Sequence, residues 1–140
     1  MTDFIIRSGS WADLQQDAMS IRESVFIQEQ NIVETEEWDA FDAVSIHFVV
    51  YDGSIAIATA RLLENNSVGR VAVLKEYRGK GIGRLLMFDI IQTAKNEQRE
   101  FLKLSSQVHA IPFYESLGFK LQGEEYLDCG IPHRDMYLCL

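Results

Sequence analysis

The sequence is short of the features that mark membrane, disulfide-rich and metal-binding chains. None of its apolar runs approaches the length of about 20 residues that a membrane-spanning helix needs. Its two cysteines, Cys129 and Cys139, match no metal or redox spacing, and it has only two prolines, Pro112 and Pro132. The N-terminal stretch has an acid at Asp3 and no extended apolar core, which argues against a secretory signal peptide. We therefore expect a cytoplasmic protein without membrane segments, disulfides or a metal.

Positive charge is also scarce, and it is unevenly placed. The 140 residues carry a formal net charge of −8, which disfavours general nucleic-acid binding. Residues 1–74 hold 12 acidic and 4 basic side chains, whereas residues 75–140 hold nine of each. In the second half, four basic residues cluster around one glycine-rich loop, namely Lys75, Arg78, Lys80 and Arg84. This polarity suits an anionic cofactor that meets a cationic substrate, although an acidic surface that serves only solubility explains the first half equally well.

The pattern of the remaining residues predicts one folded domain over residues 1–140. Apolar residues make up 47% of the chain, and no repeat, low-complexity tract or linker interrupts it. The apolar spacing predicts strands at 4–7, 45–51, 54–63, 67–74, 101–107, 119–126 and 134–140. It predicts helices from Ser10 through Val25, from the glycine loop to about Arg99, and at 110–117. This order indicates an α+β fold with a mixed sheet of six to seven strands and helices on both faces.

Turn signals set the boundaries between these segments. Asp52-Gly53 predicts a two-residue hairpin turn, and Glu64-Asn65-Asn66 predicts a second turn. Pro112 and Gly118 delimit the short helix, as proline favours the first turn and glycine the C-terminal cap. Residues 31–42 carry five acids among scattered apolar residues, and we expect a loop or a short irregular helix there.

The stretch Arg78-Gly-Lys-Gly-Ile-Gly-Arg-Leu-Leu places three glycines between a predicted strand and a predicted helix. Free backbone N–H groups and the positive end of the helix dipole converge at such a loop and favour a phosphate. The loop lacks the spacing and the terminal hydroxyl of a Walker loop. It also lacks the Gly-x-Gly-x-x-Gly spacing of a dinucleotide fingerprint, and the next strand ends in Ser105-Ser106-Gln107 rather than in an acid. Both nucleotide-binding motifs are therefore disfavoured.

The same loop carries a family resemblance. Arg78-x-x-Gly81-x-Gly83 resembles the Arg/Gln-x-x-Gly-x-Gly/Ala signature of the GNAT superfamily of acyl-CoA-dependent N-acetyltransferases. Downstream, "FYESLGF" at 113–119 is similar to the aromatic helix of that family, which ends in Gly-Phe, and the strand order matches over nearly the whole chain. Stretches 25–32, 110–119 and 129–136 further resemble a small bacterial branch often labelled ElaA-like. The resemblance implies the GNAT fold, in which the fourth and fifth strands splay apart.

The resemblance also implies where acetyl-CoA, the co-substrate, binds. Pantetheine would lie between residues 71–73 and 103–107, and the backbone N–H near Val73 would stabilise the oxyanion formed from the thioester carbonyl. Backbone amides of the glycine loop would hold the pyrophosphate. The cofactor-binding residues expected on this basis are Val71, Ala72, Val73, Arg78, Gly79, Lys80, Gly81, Ile82, Gly83 and Arg84.

The catalytic groups are less completely defined. Tyr114 matches the tyrosine that commonly acts as the general acid in this superfamily and protonates the departing thiolate, whereas spacing alone would favour a core aromatic that only packs. Strand 67–74 offers no carboxylate, so the general base is open between Glu29, His47 and His133. His47 lies in an apolar strand, where a hydrogen-bonded core histidine is the more frequent case. We expect His133 in a loop that either faces the substrate or belongs to the surface.

Together these features predict an N-acetyltransferase that moves the acetyl group of acetyl-CoA to a primary amine by direct attack in a ternary complex. The acceptor is a small molecule or a protein, and the acidic first half favours a cationic one. The resemblance allows a homodimer, and we expect no nucleic-acid or membrane partner. Two alternatives stay open: a non-catalytic acyl-CoA-binding sensor or regulatory module, and a nucleotide-binding module that would bind ATP or NAD instead of coenzyme A.

Overall fold

The computed structural model describes residues 4–140, without the side chains at positions 35 and 36. Asp3, which supports the argument against a signal peptide, lies outside these residues. Within them, one mixed sheet has the spatial order β1-β2-β3-β4-β5-β7-β6, and only β4 and β5 pair in parallel. Its strands are β1 Phe4–Gly9, β2 Ile46–Asp52, β3 Ile55–Leu62, β4 Ser67–Val73, β5 Phe101–Gln107, β6 Lys120–Asp128 and β7 Ile131–Cys139. The predicted α+β class and mixed sheet are confirmed.

The helices are α1 Trp11–Arg22, α2 Glu34–Glu37, α3 Ile82–Asn96 and α4 Ile111–Glu115. A π-helical segment, Glu23–Glu29, continues directly from α1, and short 3₁₀ turns occupy Ala40–Val44, Lys75–Tyr77 and Val108–Ala110. Ser10 caps α1 as expected, because its side chain accepts a hydrogen bond from the N–H of Asp13. None of the helices in the described part of the chain is long and apolar enough to cross a membrane.

The helices cover opposite faces of the sheet because strand side chains alternate between them. Along β2, Phe48 and Val50 belong to one apolar core, and Val49 and Tyr51 belong to the other. The first core is closed by the buried face of α3, with Ile82, Leu86, Ile90 and Ala94. The second is closed by α1 and the π-helical segment, with Leu14, Ala18, Ile21, Val25 and Phe26. The prediction of helices on both faces is therefore confirmed.

Several helix and turn boundaries differ from the prediction. The first hairpin turn consists of Gly53 and Ser54, one residue later than expected, because the preceding aspartate still pairs within β2. The α-helical part of the first helix ends at Arg22, so Val25 lies in the π-helical segment instead. The long helix ends three residues before the predicted Arg99, and the short one keeps only its central residues, 111–115. Helix ends are set by capping and tertiary contacts that apolar spacing does not encode.

The last strand begins earlier than predicted, which moves His133 from a loop into the sheet. Cys129 and Gly130 form a two-residue turn with φ angles of 52° and 76°, and β6 and β7 pair on either side of it. Pro132 is tolerated in β7 because the pairing of this strand with β5 starts only at the next residue. The expectation that His133 lies in a loop is therefore wrong.

The sheet opens between its two parallel strands. Ser67 and Val68 pair with β5, and beyond them β5 pairs with β7 alone. Against β3, strand β4 contains one extra residue, since Arg70 and Val71 both lie opposite Ala60. This β-bulge bends β4 at the point where its pairing with β5 ends. The predicted splay of the fourth and fifth strands is confirmed.

Candidate active site

The gap between β4 and β5 widens into a cleft of about 960 Å³. Residues 71–73 of β4 and 105–107 of β5 form its two walls. The π-helical segment, the N terminus of α3, and α4 close its other sides. The cleft therefore lies at the carboxyl ends of two parallel strands that have lost their hydrogen bonds to each other, which leaves backbone groups free to bind a ligand.

Val73 directs its backbone N–H into this gap. The N–H of Leu74 donates to the carbonyl oxygen of Ile57 at 2.9 Å, and Val73 lies opposite Ala58. Hydrogen-bonded and non-bonded pairs alternate in an antiparallel ladder, so the backbone groups of Val73 point away from β3. In agreement, the carbonyl oxygen of Val73 accepts a hydrogen bond from Nε of Arg78 at 3.0 Å. The N–H of Val73 thus lies on the side of β4 where the thioester contact is predicted.

The glycine loop enters α3 with its backbone uncovered. Gly79 and Gly81 have φ angles of 78° and 81°, and a Cβ atom at either would meet nothing within 4 Å. Gly81 is the N-cap of α3, a helix of 15 residues. The N–H groups of the first turn have no partner within the helix, and the helix dipole adds positive potential. Both features favour an anion such as a phosphate at this end of the cleft.

Gly83 has a different role from the two glycines before it. A Cβ atom at Gly83 would lie 3.2 Å from Cζ of Phe113, so the missing side chain lets α4 pack closely against the first turn of α3. Ile82, between the glycines, is buried in the core and also lines the cleft. The three glycines look alike in the sequence motif. In the structure, Gly79 and Gly81 are needed for their positive φ angles, whereas Gly83 is needed for close packing against α4.

The basic residues near the loop are not equally placed. Arg78 and Arg84 line the cleft, whereas Lys80 is exposed and is not part of its lining. The guanidinium of Arg78 makes two hydrogen bonds to the carboxylate of Glu29, at 2.6 and 2.7 Å. Arg84 donates from Nη2 to Oγ of Ser116 at 3.0 Å, which draws it toward α4. The side chains of Arg78 and Arg84 therefore lie where a ligand in the cleft could contact them, whereas that of Lys80 does not.

Two consecutive residues at the end of the π-helical segment connect the walls of the cleft. Glu29 accepts two hydrogen bonds from Arg78, which follows β4 in the chain. The side-chain amides of Gln30 and of Gln107, at the end of β5, each donate one hydrogen bond to the other, at 2.9 and 3.3 Å. The pKa of Glu29 lies below its ordinary value, chiefly because Arg78 donates to it. With both oxygens engaged and a low pKa, Glu29 is a weak base. The glutamine pair has no sequence signal, since its partners lie 77 positions apart.

His133 lines the cleft from β7 and is 8% exposed. Its Nδ1 lies 2.6 Å from the carbonyl oxygen of Ile131. Because a carbonyl oxygen only accepts hydrogen bonds, Nδ1 is the donor, and Nε2 is the nitrogen that carries the lone pair whenever the ring is neutral. Within residues 4–140, Nε2 has no hydrogen-bond partner. His133 is therefore better placed than Glu29 to accept a proton.

Tyr114 lies on α4, lines the cleft and is 8% exposed. Its ring packs edge-on against Phe113 and Phe119, with centroid distances of 5.0 and 5.9 Å. Burial raises the pKa of the phenol to about 12. At neutral pH the hydroxyl therefore keeps its proton and is a donor rather than a base. Packing and a catalytic role are compatible here, because the ring belongs to the core while the residue also lines the cleft.

The acidic segment before β2 is neutralised inside the protein. Three arginines pair with three carboxylates at 2.7–3.2 Å: Arg22 with Glu37 and Asp42, Arg61 with Asp39 and Asp42, and Arg70 with Glu37 and Asp39. We call these six residues the arginine–carboxylate cluster. Its centre is buried, since the side chain of Arg22 is 1% exposed. Removing one partner of a buried ion pair costs about 3–5 kcal/mol, so the cluster is a structural element of this region.

The arginine–carboxylate cluster and its surroundings bear on two expectations drawn from the sequence. His47, the third base considered, is 1% exposed, and its Nε2 lies 2.8 Å from the carbonyl oxygen of Asp42. The prediction of a hydrogen-bonded core histidine is therefore confirmed. In addition, three of the 12 acids in the first half pair with arginines inside the cluster, and Glu29 pairs with Arg78, which leaves fewer acids to attract a cation. The charge argument for a cationic acceptor is weaker than the sequence suggests.

The sheet is mixed, its two parallel strands diverge over a cleft, and a helix with a glycine N-cap begins at one end of that cleft. This combination is typical of the acyl-CoA-dependent acyltransferase fold. The chain belongs to the GNAT acetyltransferase family, whose "Acetyltransferase (GNAT) domain" model matches residues 15–140. The uncharacterised N-acetyltransferase YjcF of Bacillus subtilis (strain 168) is 37% identical over 125 residues. That alignment covers 86% of this chain and 89% of YjcF.

Solved structures show the same relationship. An acyl-CoA N-acyltransferase from Pseudomonas aeruginosa superposes with a TM-score of 0.86 at 28% identity, covering 96% of this chain and 99% of that one. Escherichia coli ElaA superposes with a TM-score of 0.86 at 25% identity, with the same coverage of 96% and 99%. These similarities confirm the GNAT fold and the ElaA-like resemblance.

Proposed function

We propose that the protein transfers the acetyl group of acetyl-CoA to a primary amine of a small molecule or a protein, by direct attack in a ternary complex. The observation that carries this proposal is the N–H of Val73, which is directed into the same cleft that the α3 N terminus and Tyr114 line. Acetyl-CoA supplies an activated thioester, and the residues of this chain bind it, polarise it and move protons.

The cleft suits a long anionic thioester. Backbone N–H groups from Arg78 to Gly83 would hold the pyrophosphate at the α3 N terminus, where the open backbone of Gly79 and Gly81 allows close approach. Residues 71–73 of β4 offer backbone groups along the gap, as an extended pantetheine arm requires. Lys80 lies outside the lining of the cleft, so its contribution would be electrostatic attraction rather than direct contact.

The same cleft offers an oxyanion donor, the N–H of Val73, and a general acid, the hydroxyl of Tyr114. The N–H of Val73 would bind the thioester carbonyl oxygen and stabilise the negative charge that develops as the amine attacks, a contribution typically worth about 10²–10³ in rate. Tyr114, protonated at neutral pH, would donate its proton to the departing thiolate sulfur. A single attack thus forms the amide C–N bond and breaks the C–S bond, and no covalent intermediate on the protein is needed.

We assign the base to His133. If its Nε2 takes the proton of the attacking amine, His133→Gln should lower kcat by about 10²-fold, because a positioned base typically contributes 10²–10⁴. The measurement is a steady-state acetyl transfer assay. His109→Gln is the matched control, since His109 also borders the cleft but is exposed, on the 3₁₀ turn after β5, and this variant should turn over normally. Full activity in His133→Gln would place the base elsewhere while leaving acetyl transfer itself intact.

A cationic acceptor remains the class that we favour. Asp128 is exposed, lines the cleft and lies outside the arginine–carboxylate cluster, so its carboxylate is available to an ammonium group. Glu29 lines the same cleft and could contact an acceptor in addition to Arg78. The exposed carboxylate of Asp128 favours amines that carry a second positive charge, such as polyamines or amino sugars.

The decisive experiment incubates the protein with acetyl-CoA and a panel of primary amines and follows the release of free thiol. We expect release with at least one cationic amine. Binding of acetyl-CoA without release across the whole panel would support the non-catalytic sensor instead. Binding of ATP or NAD, with no binding of coenzyme A, would overturn the assignment of the cleft altogether.

A further inference from the structure

Arg70 occupies an unusual position in β4. It lies in the β-bulge, two residues after the last pairing with β5 and three residues before Val73. Its φ angle is 51°, in the left-handed region that glycine adopts freely and other residues adopt at a cost of about 1–2 kcal/mol. Gly69 precedes it directly, yet the left-handed conformation falls on the arginine. A compensating interaction must therefore come from its side chain.

That side chain is tied to the arginine–carboxylate cluster. Nε of Arg70 lies 3.2 Å from Oε2 of Glu37, and Nη2 lies 3.2 Å from Oδ2 of Asp39. Nε and Nη2 also donate to the backbone carbonyl oxygen of Glu37, at 3.3 and 3.1 Å. The guanidinium thus holds both the side chain and the main chain of the segment before β2. Planar, multidentate contacts of this kind fix geometry as well as adding energy.

The anchor itself is rigid. Glu37 is buried and is held by Nε of Arg22 at 2.7 Å. Asp39 receives two hydrogen bonds from Arg61, at 2.7 and 2.9 Å. Arg22 and Arg61 are themselves buried, and both bind Asp42. Arg70 therefore connects the bulge to a network that cannot rearrange without exposing a buried charge.

We propose that Arg70 is a positioning residue, which clamps the β4 bulge to the arginine–carboxylate cluster and so fixes the direction of the Val73 N–H. The bulge sets which backbone groups of β4 turn toward the cleft, because one extra residue shifts the alternation of the strand. The catalytic part of this inference rests on the proposed function, in which Val73 binds the thioester. The conformational part, the coupling of Arg70 to the Val73 amide, stands independently of any reaction.

The test compares Arg70→Gly with the wild-type protein. Glycine accepts the left-handed φ without strain, so this variant removes the clamp while leaving the bulge accessible. It costs some stability, because Glu37 and Asp39 each lose one partner, but both keep an ion pair, with Arg22 and Arg61 respectively. We expect the backbone amide resonances of Val71 and Val73 to shift and broaden in two-dimensional NMR spectra. We also expect kcat to fall by about 100-fold, as for a misplaced catalytic group, with a smaller change in the KM for the amine.

Two further variants separate positioning from general effects. Arg70→Lys keeps the positive charge but lacks the planar guanidinium that makes several hydrogen bonds at once. The Val73 resonance and kcat of this variant should therefore return only part of the way to the wild-type values. Arg99→Gln is the matched control, because Arg99 is also a partly buried arginine that donates to a backbone carbonyl, that of Leu63 at 2.6 Å, but lies outside the cleft. This variant should leave both the Val73 resonance and kcat unchanged.

The possible results are distinct from one another. An Arg70→Gly protein with wild-type Val73 resonances and wild-type kcat overturns the proposal. Unchanged resonances with a raised KM for the amine would also overturn it, and would make Arg70 an acceptor contact. If the wild-type protein acetylates no amine, the proposed function fails while the NMR comparison of Arg70→Gly with Arg99→Gln still tests the clamp.

Discussion

Replacing Tyr114 with phenylalanine should reduce turnover by about 10²–10⁴-fold, the range that a positioned general acid contributes. The hydroxyl is the only group removed, so the edge-on packing against Phe113 and Phe119 is retained. Without the phenol proton, the thiolate has to leave unprotonated, and the C–S bond breaks more slowly. Affinity for acetyl-CoA should change little, because the backbone N–H groups of the α3 N terminus, where we propose that the pyrophosphate binds, are kept when only the phenol hydroxyl is removed.

Turnover is measured by thiol release, and acetyl-CoA affinity by calorimetry. Tyr137→Phe is the matched control, since Tyr137 is a partly buried tyrosine on β7 that does not line the cleft. This control should turn over at the wild-type rate. Equal turnover of Tyr114→Phe and Tyr137→Phe would show that Tyr114 only packs.

The pKa of Tyr114 gives a second observable that does not depend on catalysis. Burial raises this pKa from 10.0 to about 12, so the folded state favours the neutral phenol. The associated stability is complete below pH 10 and is lost as the pH rises toward 12, a loss of about 2–3 kcal/mol. Tyr114→Phe should lack this component when urea unfolding is compared at pH 9 and pH 11.5. An identical loss in both proteins would mean that the phenol is not buried as described.

Local signals in the sequence are sufficient for the sheet, the glycine loop and the short aromatic helix. Largely apolar runs mark β2 and β3, because strands that serve both cores are buried on both faces, and Gly118 marks the end of the aromatic helix because it adopts a φ of 99°. The order of these segments then indicates a mixed sheet, and the structure shows that only β4 and β5 in it are parallel. These features depend on residues close together in the chain, which is why they can be predicted.

The arginine–carboxylate cluster could not be predicted in the same way. Its acids lie at 37, 39 and 42 in a segment without periodicity, and its arginines come from α1, β3 and β4. A sequence shows the charges but not their pairing, so a solvated acidic surface and a buried network look alike. The bulge at Arg70 has no signal either, because the neighbouring glycine is the residue expected to adopt a left-handed conformation. In our proposal, the cluster and the bulge together determine which backbone N–H groups of β4 face the cleft.

Replacing Gly81 with valine should weaken the binding of acetyl-CoA severely. Gly81 is the N-cap of α3 with a φ of 81°, which a β-branched residue adopts only with strain. Relaxation of this strain would turn the first N–H groups of α3 out of alignment. Each charge-assisted hydrogen bond to the pyrophosphate is worth about 1.5–3 kcal/mol, so losing two of them lowers the affinity by about 10²–10⁴-fold. Isothermal titration with acetyl-CoA measures the effect.

Gly53→Val is the control that separates strain from ligand recognition. Gly53 has a φ of 61° in the β2–β3 turn, and a Cβ atom there would meet nothing within 4 Å, so valine meets the same conformational penalty away from the cleft. Both variants should lose similar stability, on the order of 1–2 kcal/mol, but only Gly81→Val should lose acetyl-CoA. If the two variants bind acetyl-CoA equally well, the α3 N terminus is not the pyrophosphate site. The cleft would then have to hold its anion through Arg78 or Arg84 side chains instead.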